Sequence, residues 1–158
     1  MRISLVELVL FTAGVGLLIA ALPRCGGPAR APAVRASWTL TPGVLNPAVT
    51  KATIADTICR RGWTRTVRPP VSYTNGLKAK GLAQYHLRGP PSAFQEDHLI
   101  SLELGGSPAD PRNLWPEPYP RAAAVDRIEN DINHRVCRGS LSLAGAQRKE
   151  SALKHSHG

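Results

Sequence analysis

The hydrophobic pattern divides the chain into an apolar leader, a breaker-rich stretch and a domain of mixed periodicity. After Met1-Arg2, the run LVELVLFTAGVGLLIAAL carries a single acid, Glu7, and has the length of a signal-peptide core or a thin membrane span. Residues 1–23 are therefore expected to be a signal peptide or a membrane anchor, which places the protein outside the cell or in its envelope. The following GGPARAPAVRA shows no packing period, and residues 24–38 read as a flexible linker. A folded domain is expected over residues 39–153, with KHSHG, residues 154–158, as a disordered tail.

Within the domain, Asn46-Pro47 sets a capping side chain before a proline at the first helical position. This predicts a helix through AVTKATIADTIC, ending near Cys59. RRGWTRTVRPP is too rich in Arg, Gly and Pro for a helix and predicts an extended loop or edge strand that ends at Pro69-Pro70. Tyr73, Leu77 and Tyr85 fall at near-helical spacing and predict a short helix from Ser72 to about His86, weakened by Gly76 and Gly81. LISLEL alternates with period two and predicts a strand. Gly105-Gly106 then turns the chain, and Asn113-Leu114-Trp115 pairs back as the second strand. Pro116, Pro118 and Pro120 are expected to stop the sheet. Val125, Ile128, Ile132 and Val136 recur at helical intervals and predict an amphipathic helix from about Arg121 to Cys137. A last weak helix is expected after Ser142. The fold class is α+β: a strand, strand, helix unit supported by N-terminal helices.

Composition adds a partner class. A chain of 158 residues with 42% hydrophobic and 20% charged residues can build one domain with a core but not two. Its formal net charge is +9, and from Ala36 onward 16 Lys and Arg stand against 10 Asp and Glu, leaving +6 on the folding part. Such an excess favours a polyanionic partner. Arg60, Arg61, Arg65 and Arg68 around Trp63 are candidates for a phosphate-binding strip with a stacking aromatic, the alternative being a solvated face beside a core tryptophan. If cleavage removes Cys25 with the leader, Cys59 and Cys137 remain as an even pair, for which a disulfide is the expected state in an oxidising compartment, the alternative being two buried thiols. No cysteine sits at zinc-ligand spacing.

The candidate chemistry lies around the hairpin. Asp97-His98 stands just before it and Asn113 on its returning arm. A neutral histidine suits proton abstraction from water, and side-chain oxygens of Asp97 and Asn113 suit a divalent ion, Mg²⁺ first, then Mn²⁺, with Zn²⁺ less favoured. The bland alternative is that Asp97 and His98 anchor a turn. DHLISLELGG followed by NLW resembles the core of HNH nucleases. TICRRGWTRTVRPPVSYTN, DPRNLWPEP and the helix ending in Cys137 resemble uncharacterised exported actinobacterial proteins carrying HNH-like domains.

That resemblance implies a ββα-metal fold and metal-dependent hydrolysis of DNA or RNA phosphodiester bonds. It implies that Asp97 and Asn113 hold one metal ion, that His98 is the general base, and that Asn113 belongs to the catalytic set. A further ligand is implied on the helix, where Asp126, Glu129, Asn133 and His134 are candidates and Glu129 and His134 are placed with the metal set. Related sequences tend to carry Lys-Asp at the start of this helix and His at the position of Asn133. Here Val125-Asp126 and His134 stand instead, and one residue turns a side chain by about 100°. The departure keeps two alternatives open, a catalytically impaired exported nucleic-acid-binding module and a structural envelope protein with a basic surface. The protein is expected to act as a monomer and to meet the membrane only through its N-terminal segment.

Overall fold

The computed structural model describes residues 34–156, so the expected signal or anchor segment and most of the linker lie outside the described residues. The elements are α1 (Trp63–Val67), α2 (Val71–Gln84), β1 (Phe94–His98), β2 (Leu114–Pro118), α3 (Arg121–Cys137) and α4 (Leu143–Ser156). The fold is α+β, with one two-stranded antiparallel hairpin among the described residues. No described helix is long and apolar enough to cross a membrane.

The stretch after Asn46 forms consecutive turns instead of the expected helix. Its threonines explain this: Thr53 Oγ1 donates to the Ala48 carbonyl at 2.7 Å and accepts from the Thr50 amide at 2.8 Å, so local side-chain bonds replace the helical ladder. RRGWTRTVRPP is not extended. It contains α1, in which Trp63 is buried, and the Pro69-Pro70 pair separates α1 from α2. Gly76 and Gly81 do not break α2. A Cβ at Gly81 would lie 2.9 Å from Pro116 Cδ, so this glycine lets α2 approach β2.

The hairpin is displaced from its predicted place. LISLEL is not a strand; β1 comprises FQEDH, and Leu102–Leu104 form a 3₁₀ turn. Leu99, Ile100, Leu102 and Leu104 are all buried, so the apparent alternation reflects burial from several sides. Pro116 and Pro118 lie inside β2, opposite Glu96 and Phe94. Being two residues apart, both prolines take the same register position, where the missing N–H points to the open edge of the ribbon. A cis Tyr119-Pro120 peptide leads into α3.

Helix α3 has the predicted bounds, but its buried stripe is Ala122, Val125, Glu129, Ile132 and Val136. Ile128 is 39% exposed, and Glu129 takes the inward position. Ile132 and Val136 join Val49, Ile58, Trp63, Ile100, Leu104 and Ala146 in the main core. Helix α4 packs on α3 and on the 3₁₀ turn, and buries Ala146, Glu150, Lys154 and His155.

The domain boundaries therefore widen. Residues 154–156 are helical and not a frayed tail, and Lys154 is fully buried. At the other end Ala36 is buried, and its amide donates to the Lys154 carbonyl at 3.0 Å. Trp38 stacks on His155 with ring centroids 3.5 Å apart. Residues from 34 onward thus belong to the domain and not to a linker.

Cys59 and Cys137 are bonded, with Cα atoms 5.5 Å apart, and tie the turn region to the end of α3. The bond spans a sequence separation of 78, for which the chain-entropy estimate is roughly 4 kcal/mol. Reduction, or Cys59→Ser with Cys137→Ser, should lower the melting temperature by a corresponding amount. Identical melts with and without reductant would contradict this.

Candidate active site

The end of β1, the start of α2 and the first half of α3 enclose a cavity of ≈ 610 Å³. Asp97, His98, Asp126 and Glu129 line it, with Arg68, Lys78 and Tyr119 also in its wall. β1 brings Asp97 and His98 to the floor, while Asp126 and Glu129, three apart on α3, share one helix face. Ligand oxygens of Asp97, Asp126 and Glu129 all fall within 4.8 Å of one another. The Gln95 amide donates to Asp126 Oδ1 at 3.3 Å and reaches Asp97 Oδ1 at 3.5 Å, holding these two carboxylates side by side.

His98 is 5% exposed, and its Nε2 lies 3.0 Å from the Pro108 carbonyl oxygen. Because a carbonyl can only accept, Nε2 carries the proton and the lone pair belongs to Nδ1 in the neutral ring. Among the described residues, no hydrogen bond engages Nδ1. Burial holds the His98 pKa below the ordinary imidazole value. The Pro108 carbonyl and Asp97 oppose that shift, while Arg68 and Lys154 add to it. Such a ring is neutral and able to accept a proton around neutral pH.

Beneath the three carboxylates lies Lys154. Its Nζ is 2.6 Å from Asp97 Oδ2 and 3.5 Å from Glu150 Oε1, pairs with Glu129 Oε1 and donates to the His98 carbonyl oxygen. Burial works against the Lys154 charge, but Asp97, Glu129 and Glu150 outweigh it and raise its pKa. Burial raises the pKa of Glu129 well above the usual carboxylate range, with Lys154 opposing and Asp97 and Glu150 reinforcing. Burial likewise raises Glu150. Three buried acids, Asp97, Glu129 and Glu150, thus share one ammonium. Glu96, also in the cavity wall, is pushed up to about 8 by burial, with Lys78 opposing.

The expected site changes in three places. Asn113 is engaged as a backbone clamp and stands apart from the acidic group. It is fully buried, its Oδ1 accepts from the amides of Ile100 at 3.0 Å and Val44 at 3.4 Å, and its Nδ2 donates to the carbonyls of Ile100 at 3.0 Å and Ser107 at 2.9 Å. Every polar valence is spent on backbone groups, three in the loop between the strands and one at Val44. Gly106 serves the same clamp: a Cβ there would meet the Ile100 carbonyl oxygen at 1.7 Å and Asn113 Nδ2 at 2.7 Å.

His134 is exposed on α3 and lies outside the acidic group. Asn133 is turned inward instead, donating to the Glu103 carbonyl at 2.7 Å. The proposed strip also divides. Trp63 is 7% exposed within the core and offers no stacking face. Arg60, Arg61, Arg65 and Arg68 are exposed, and of these Arg68 alone lines the cavity.

Sequence reasoning placed Asp126 only among the helix candidates and missed Lys78, Glu150 and Lys154. For two of them a signal exists: Glu150 and Lys154 follow Ala146 at i+4 and i+8, so a helix that buries Ala146 buries both. Lys78 carries no such signal. Neither a family model, nor a curated protein, nor a solved structure matches this chain, so the functional reading rests on the geometry of the site.

Proposed function

We propose that the protein is a metal-dependent phosphodiesterase acting on DNA or RNA. One observation carries the reading: Asp97, Asp126 and Glu129 converge in the same cavity as His98, whose Nδ1 is left to accept a proton. Three carboxylates form an all-oxygen donor set, which suits Mg²⁺ or Mn²⁺ better than Zn²⁺. The excess of acids over the single ammonium supports a cation here, because a divalent ion would add positive charge where carboxylates converge. Asp97, Asp126 and Glu129 would hold the ion, which when bound supplies Lewis-acid stabilisation of charge growing on phosphoryl oxygens.

The chain's own groups do the rest. His98 Nδ1 takes a proton from the attacking water, while Nε2 keeps its own proton and donates it to the Pro108 carbonyl oxygen in the hydrogen bond that fixes the ring's orientation. Arg68 and Lys78, on the cavity wall, meet the phosphate backbone. Tyr119, 49% exposed in the same wall, offers a ring face to a base. The resemblance to HNH nucleases agrees with the strand, strand, helix order, with the helix supplying Asp126 and Glu129 in place of Asn113 and His134. The disulfide supports a place of action in an oxidising compartment.

The test is cleavage of supercoiled plasmid and of structured RNA by the purified protein in Mg²⁺ or Mn²⁺, and in EDTA. Cleavage that EDTA abolishes is expected. Tight binding without cleavage in either metal would leave the nucleic-acid-binding module in its place. A second expectation concerns the basic groups: Arg68→Ala with Lys78→Ala should weaken nucleic-acid affinity and flatten its salt dependence more than Arg60→Ala with Arg61→Ala. Equal slopes in filter-binding titrations would remove Arg68 and Lys78 from the interface.

A further inference from the structure

Lys154 is the one fully buried cation among the described residues, and the chemistry above makes no use of it. Its position is set by the fold, since the Ala36 amide donates to its carbonyl at 3.0 Å and the next residue, His155, places Nε2 3.1 Å from the Thr41 carbonyl oxygen. The backbone that carries the ammonium is thus held at two points by the N-terminal segment. Two of its partners, Asp97 and Glu129, belong to the trio that would hold a metal ion.

The two oxygens of Asp97 divide the cluster. Oδ2 is turned to Lys154 at 2.6 Å, whereas Oδ1 lies towards Gln95, whose amide also bonds Asp126. An inner half therefore holds Asp97, Glu129, Glu150 and the ammonium, and an outer half holds Asp97, Glu129 and Asp126. Glu150 is itself kept in place by the Ser101 amide at 2.9 Å. Two-ion phosphodiesterase sites share bridging carboxylates between cations roughly 3.5–4 Å apart. Asp97 and Glu129 are the shared carboxylates here, with the inner cation position taken by a tethered ammonium.

We propose, on the basis of the metal reading above, that Lys154 is a resident cation standing where a second divalent ion would otherwise bind. It restricts the site to one ion and orients Asp97 and Glu129 towards it. A lysine that merely filled the core would not be related to metal at all. Removing this one leaves three inner carboxylates around a space the size of a small cation, and that space should load with metal.

The experiment uses the full chain with Mn²⁺ as the probe, counting bound ions by electron paramagnetic resonance and recording thermal melts in EDTA and in Mn²⁺. The parent should bind one Mn²⁺. Lys154→Met should bind two, melt lower than the parent in EDTA, and recover most of that deficit in Mn²⁺. Glu150→Gln/Lys154→Met removes one buried charge of each sign, so it should fold if the single variant does not, and it should also take a second ion. The proposal is overturned if the variants bind one ion and their melting deficit is the same in EDTA and Mn²⁺, or if the parent already binds two. A parent that binds no Mn²⁺ overturns the metal reading itself, and this inference with it.

Discussion

His98→Ala should slow cleavage by about a hundredfold or more while leaving Mn²⁺ and nucleic-acid affinity nearly unchanged, because a general base contributes to the transition state and little to ground-state binding. The structure sharpens this expectation through the ring's protonation. With Nε2–H held by the Pro108 carbonyl, the acceptor is Nδ1, and burial lowers the pKa. The sign follows: a lowered pKa keeps the base form present below the ordinary imidazole value, so the parent's rate should persist below about pH 6.5. It should fall only as pH drops through the lowered pKa, and His98→Ala should lose that acidic limb. Equal rates in parent and variant would remove His98 from the chemistry.

Asn113 should matter as much, but to folding. Asn113→Asp keeps the acceptor oxygen for Ile100 and loses both donations, leaving the carbonyls of Ile100 and Ser107 unpaired beside a buried charge. Each buried group left without its partner costs about 1–3 kcal/mol, so a loss of roughly 3–5 kcal/mol is expected in urea denaturation. A metal-ligating asparagine predicts the opposite, since a carboxylate there would bind a divalent ion more tightly with little change in stability. Metal titration and unfolding of this one variant therefore separate the clamp from the ligand.

The two roles of the hairpin residues show what the chain alone makes legible. Asp97 and His98 could be picked out because their chemistry is rare before a Gly-Gly turn, and Asn113 because its spacing to them resembles a family. The role of Asn113 could not, since an amide that bonds four backbone groups and one that binds metal are the same letter. α3 was readable from its period and Glu129 stood among its ligand candidates, but the inner stripe through Val125 and Ile132 runs over Glu129 and not over Ile128. The strand was misplaced because LISLEL alternates as a strand does while being buried from all sides.

The C-terminal segment departs furthest from what its composition suggests. KHSHG looks frayed because it is short, polar and terminal, but burial of Lys154 depends on acids 57, 25 and 4 residues away in sequence, at Asp97, Glu129 and Glu150. Such long-range charge compensation leaves no local pattern. The same holds for the turns after Asn46, where the hydroxyls of Thr53 and Thr57 bond the backbone in place of the helix that the cap predicted.

Anomalous diffraction from crystals of the protein grown with Mn²⁺ reads out the identity of the metal-binding trio. The account predicts one anomalous peak in the cavity, about 2.2 Å from an oxygen of each of Asp97, Asp126 and Glu129, with Asn113 still bonded to the Ile100 and Ser107 carbonyls. A peak coordinated by Asn113 or His134, or a cavity that stays free of manganese while the protein cleaves DNA, would contradict it.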